Sequence, residues 1–174
     1  MARPPRKAPA RRRAKAAAPR AGRTAAPSAD QAAPLPPSPI DMADDAVEEA
    51  LRTGAQPGLL EDLFGPAGYA ELARLARQAS TRSVRGGERV LILHGIMGSK
   101  LGFPGTWPFQ DVVWIDPADI FGGRLALLRL GPSGDPGRVR PLGVLLAAYL
   151  ALKLRLRIAG HDAEFWHYDS RPGL

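Results

Sequence analysis

The stretch Val90-Leu91-Ile92-Leu93-His94-Gly95-Ile96-Met97-Gly98-Ser99 sets a continuous β-branched and Leu run against His-Gly and a small-residue turn. That order suits acyl transfer. Such chemistry develops negative charge on a carbonyl oxygen, and backbone N–H groups fixed in advance stabilise it. Gly95 and Gly98 let the chain turn sharply and keep side chains out of the way. The N–H groups of Ile96 and Met97 are then the candidate donors. His94 reads as a residue that shapes the loop through a hydrogen bond, ahead of a role as base.

A nucleophile is harder to find. Ser28, Ser38, Ser80, Ser83, Ser99, Ser133 and Ser170 all lack Gly on both sides at the Gly-x-Ser-x-Gly spacing of a nucleophile elbow. Gly131-Pro132-Ser133-Gly134-Asp135 comes nearest, but Asp135 replaces the second Gly, and the segment reads as a turn. With no cysteine, a disulfide scaffold, a thiolate metal site, a cysteine nucleophile and a redox switch are excluded. His161 reads as an exposed turn residue and His167 as a half-buried strand residue. Asp44, Asp45, Glu48 and Glu49 read as a solvated helix face, because neighbouring acids on a helix do not converge on one ion. No metal or cofactor is expected.

Positioning these residues requires a scaffold. Arg89 to Leu93 reads as a strand buried on both faces. Ahead of it, Asp41 is a candidate cap for a helix carrying Met42, Ala46, Val47, Ala50 and Leu51, with Gly54 just past its end. A run from Leu59 to Phe64 ends at Gly65-Pro66, and a further helix spans Tyr69 to Ala79 with Tyr69, Leu72, Ala73 and Ala76 on one face. Residues 100–140 read as an irregular excursion, with a short strand at Val112–Ile115 and an apolar piece at Leu125–Leu130. Pro141 is expected to open a helix through Gly160, with Leu142, Leu145, Leu146, Tyr149, Leu152 and Leu156 at the 3.6 period. Its three central charges argue against a membrane span. Ala163 to Asp169 reads as a strand. A helix between two strands makes a βαβ unit, so 89–93 should pair in parallel with 163–168.

Composition divides the 174 residues unevenly. Gly is 19 and Pro 18, concentrated enough to argue for a low-complexity stretch beside a smaller globular part. Residues 1–29 hold nine basic and no acidic residues, and the remaining 15 basic and 17 acidic residues leave 30–174 at −2. The high pI therefore describes a tail and does not make the domain a nucleic-acid binder. Residues 1–40 lack the large apolar groups needed to offset chain entropy and read as disordered. Arg11-Arg12-Arg13 invites an export-signal reading, but no apolar run follows it. A phosphate-seeking arm is a second option; a solvated extension is favoured. The expected organisation is a tail at 1–40, a helical segment at 41–85 and a third part at 86–174. Without a convincing signal, a membrane span or cysteine, a cytoplasmic location is favoured.

His94-Gly95-Ile96-Met97-Gly98-Ser99-Lys100-Leu101 resembles the strand-3 oxyanion loop of α/β-hydrolases, within them the lecithin:cholesterol acyltransferase group of lipase-like proteins. Trp114-Ile115-Asp116-Pro117, followed by Gly122-Gly123-Arg124-Leu125, resembles that group's cap region. Residues 141–160 stand in the place of helix A. Phe165-Trp166-His167-Tyr168-Asp169-Ser170-Arg171 resembles the Tyr-Asp-Trp-Arg ending of strand 4, with Ser170 where Trp is usual. The resemblance covers about residues 88–174. It implies a partial α/β-hydrolase (strand 3, cap excursion, helix A and strand 4) behind a small helical segment. It further implies a serine lipase, esterase or acyltransferase acting on a lipid or other apolar ester. His94, Gly95, Ile96, Met97 and Gly98 would form the oxyanion loop. Phe103, Trp107, Phe109 and Phe121 would either line an acyl-binding surface or pack the cap. In that group the nucleophile, acid and base follow strand 4, so this chain is expected to be an inactive N-terminal part. With strand 5 absent, the open edge of 89–93 would favour self-association. The alternative is a non-catalytic interaction protein built on a degenerate hydrolase-like domain.

Overall fold

A computed structural model describes residues 38–82 and 87–172. The expectation of disorder for the tail falls almost wholly outside them. Its last residues are ordered, however: Pro39–Asp41 form a 3-10 turn. Asp41 does not cap the first helix. α1 is Asp44–Thr53, entered through Ala43 and closed by Gly54 in the left-handed region, φ 78°. Asp41 is buried instead, and its carboxylate accepts the amides of Ser38 and Val112. The next two helical runs join without a loop as α2, Pro57–Ser80, kinked where Gly65 leaves helical backbone and Pro66 restarts it.

Two small sheets follow. β1, Arg89–Leu93, pairs in parallel with β5, Asp162–Trp166, in the register Arg89↔Asp162 to Leu93↔Trp166. The parallel pairing is as expected, but burial on both faces is not. Ile92 and Ala163 point inward and are buried, whereas Leu91, Leu93 and Trp166 are 44, 62 and 55% exposed. Two strands offer too little sheet to bury a second face, so the apolar run here does not mean burial on both sides.

The excursion is more regular than its composition suggests. β2 (Ser99–Phe103), β3 (Asp111–Trp114) and β4 (Arg140–Val144) form an antiparallel sheet in the order β3-β2-β4. Between β3 and β4 lie the short helix α3, Pro117–Phe121, and a 3-10 segment, Arg124–Leu128. Pro141 is therefore a strand residue and not a helix start. As β4 is an edge strand, its missing N–H is tolerated. Helix α4 begins later and runs Leu146–Ile158. The alternating Leu-Lys-Leu-Arg-Leu-Arg segment is helical, as the longer period required.

One core ties these parts together. Val47, Leu51, Leu60, Leu72 and Leu75 of α1 and α2 pack with Val144, Leu150 and Leu154 of β4 and α4. The acidic residues of α1 are not a solvated face, which corrects the expectation. Asp44 is buried, its Oδ1 2.7 Å from Lys100 Nζ and its Oδ2 accepting the Val144 N–H at 2.9 Å. A Cβ at position 143 would stand 2.4 Å from that carboxylate, so only Gly143 admits it. Glu48 takes bonds from both Lys153 and Arg157 of α4. Only Asp45 and Glu49 of the four remain at the surface.

Candidate functional site

The turn at the carboxyl end of β1 is built from short-range necessity. Gly98 N–H donates to Gly95 O at 3.0 Å, closing a four-residue β-turn across Ile96 and Met97. Met97 takes φ 70°, a left-handed conformation that costs a non-glycine residue free energy. Gly98 is irreplaceable on packing grounds, since a Cβ there would sit 2.8 Å from His94 Cβ and 3.0 Å from Tyr149 Oη. Ile96, 84% exposed, and Met97 project outward. Among the described residues, neither the Ile96 nor the Met97 amide has a hydrogen-bond partner. The turn therefore presents two backbone donors without a protein partner among those residues.

His94 holds the turn from beneath. It is buried and stacks on Tyr168 with ring centroids 4.1 Å apart. Its Nδ1 lies 2.9 Å from Gly95 O, and its Nε2 faces the Tyr168 N–H at 3.5 Å. A neutral ring with its proton on Nδ1 satisfies both contacts, donating to one and accepting from the other. Tyr168 also donates its hydroxyl to His94 O at 2.8 Å. Both ring nitrogens thus meet backbone groups, and His94 braces the turn from within. On the other side, the Gly95 N–H donates to Tyr149 Oη at 3.1 Å. Leu145 N–H donates to Gly98 O, fastening the turn to the start of α4.

The segment between β3 and β4 is fixed by ion pairs. Buried Arg124 grips Asp111 and Asp119 together. Both carboxylates raise its guanidinium pKa, whereas burial pushes the Asp119 carboxyl up despite that partner. Asp116 caps α3 by accepting the Ala118 N–H at 2.7 Å. Arg171 pairs with Asp169, holding that carboxyl below the usual range, and reaches back to the carbonyls of Leu128 and Pro136. Trp114 Nε1–H donates to Met97 O, bringing the end of β3 against the turn.

The aromatic candidates separate. Phe121 is 91% exposed and Trp107 also faces solvent. Phe109 packs against the core and Phe103 is half-buried in β2. Ser133 lies on a turn closed by Gly134 N–H to Gly131 O, as its sequence implied. Ser99 is buried in β2. His161, expected to be exposed, is half-buried, with Nδ1 sealed from solvent and without a partner among the described residues. His167, expected as a half-buried strand residue, lies just beyond the end of β5 and is exposed as a residue, although its ring turns inward with Nε2 3.7 Å from Asp44 Oδ2. Burial lowers its pKa, and the Asp44 charge opposes that shift. No group of three or more His, Asp or Glu among the described residues converges as a metal site would.

No family model, curated protein or solved structure matches this chain.

The site therefore stands on its own geometry. The turn was legible in the sequence, but Tyr149 and Tyr168, which support it, were not. Tyr149 was legible only as an apolar helix position, and nothing in the spacing pairs it with Gly95, 54 residues away. Lys100 and Arg124 were likewise silent, because a buried cation is identified by partners distant in sequence. No helix among the described residues is long and apolar enough to cross a membrane.

Proposed function

We propose that this chain carries the oxyanion-receiving portion of a serine lipase, esterase or acyltransferase of the α/β-hydrolase type, acting on a lipid or other apolar ester. The observation that carries this reading is the turn at residues 95–98. It leaves two amides unpaired, at the carboxyl end of a strand in a parallel pair, which is where α/β sheets place their ligands. Those amides would stabilise a carbonyl oxygen as it becomes an oxyanion. The serine and its base would come from outside residues 1–174, so this chain alone should not turn over an ester.

The reading is tested by titrating the 15N-labelled chain with butyrate, a stable carboxylate counterpart of the oxyanion. The Ile96 and Met97 amide signals should move saturably. Ile96→Pro removes one donor while suiting the second position of the turn, and should weaken the response. Unmoved Ile96 and Met97 signals would end the proposal.

A second reading, a non-catalytic interaction module, is favoured by one observation. Leu91, Leu93 and Trp166 form an uncovered outer face on β1 and β5. Unaffected amides together with concentration-dependent association through that face would support it instead.

A further inference from the structure

Two tyrosines touch the turn, and they spend their hydroxyl protons differently. Tyr168 donates its proton to His94 O. Tyr149 uses its oxygen to accept the Gly95 N–H. Among the described residues, its own O–H has no acceptor. The hydroxyl lies close against the turn, 3.0 Å from the place a Gly98 Cβ would occupy and 3.9 Å from that of Gly95. Gly98 thus has a reason in this oxygen, which a Cβ there would crowd, whereas a Cβ at Gly95 would make only ordinary contact with it.

We infer that the Tyr149 O–H is a third donor of the turn, directed with the Ile96 and Met97 amides at a bound carboxylate or ester oxyanion. This rests on the oxyanion reading and extends it by one residue. A hydroxyl that accepts a hydrogen bond becomes a better donor, because each bond polarises the next. Gly95 therefore primes Tyr149. Placed on α4 and packed against the core, the phenol is held by the helix as well as by the Gly95 N–H.

The test compares three forms of the 15N-labelled chain in the butyrate titration, followed at the Ile96 and Met97 amides. Tyr149→Phe should weaken binding about tenfold, the loss of one charge-assisted hydrogen bond. That variant also removes an acceptor from Gly95, so 3-fluorotyrosine at position 149 is the deciding form. It is a stronger donor and a weaker acceptor than tyrosine. If Tyr149 donates to the anion, fluorination tightens binding. If it only positions the turn by accepting from Gly95, fluorination weakens binding along with Tyr149→Phe, and the inference is overturned. Equal affinity in all three forms also overturns it, while leaving the two-amide site standing. Failure of the unmodified chain to respond removes the oxyanion reading itself.

Discussion

Replacing Lys100 with methionine should be among the most damaging single changes in this chain. Lys100 is 2% exposed, lies 2.7 Å from Asp44 Oδ1 and donates to Met42 O at 2.7 Å. Methionine fills the same space but leaves a buried carboxylate without its cation and a buried carbonyl without its donor. Breaking one side of a buried ion pair costs about 3–5 kcal/mol. About 130 residues are described, and at ~2.1 cal/mol/K per residue their unfolding entropy is ~0.27 kcal/mol/K. A loss of about 4 kcal/mol should then lower Tm by ~15 °C, read by thermal unfolding in near-UV circular dichroism. Adding Asp44→Asn removes the stranded charge yet keeps an acceptor for Val144 N–H, and should recover more than half of the loss. A Lys100→Met shift below ~4 °C, equivalent to about 1 kcal/mol, would refute the reasoning. So would a double variant no more stable than the single one, since the damage would then lie outside the pair.

Four further outcomes are expected. The His167 pKa is lowered by burial, so the unfolded chain binds its proton more readily; stability should fall as pH drops below ~6.5, and His167→Gln should flatten that slope in urea midpoints measured between about pH 5.5 and 7.5. Arg124→Lys should not substitute for Arg124, because a single ammonium cannot serve Asp111 and Asp119 with the same fork of bonds; faster proteolysis near residues 115–130 should report it. Met97→Val should destabilise by about 1 kcal/mol in denaturant unfolding, since a β-branched residue is poorly suited to φ 70°. Leu93→Lys with Trp166→Glu should abolish any concentration-dependent association seen by sedimentation, as both side chains lie on the open face of β1 and β5.

Local chemistry was readable wherever it depended on near neighbours. The β1 run, Gly54 as a helix end, the break at Gly65-Pro66 and the turn at 95–98 each follow from residue type and spacing over a few positions. The parallel pairing of β1 with β5 followed as well, because a strand–helix–strand order leaves few alternatives. Tertiary structure decided the rest. Pro141 and Leu142 fit a helical period, yet pairing with Lys100 and Leu101 draws the segment into β4. Asp44 and Glu48 sit on a helix of acidic character, yet cations from β2 and α4 make them buried partners. The Tyr149–Gly95 bond and the His94–Tyr168 stack unite residues 54 and 74 apart. The physical reason is the same in each case. Backbone preference and hydrophobic period act over one or two turns of chain and are written locally. A buried charge or a lone phenol takes its meaning from whatever group folding brings within about 3 Å of it, and that group is chosen by packing.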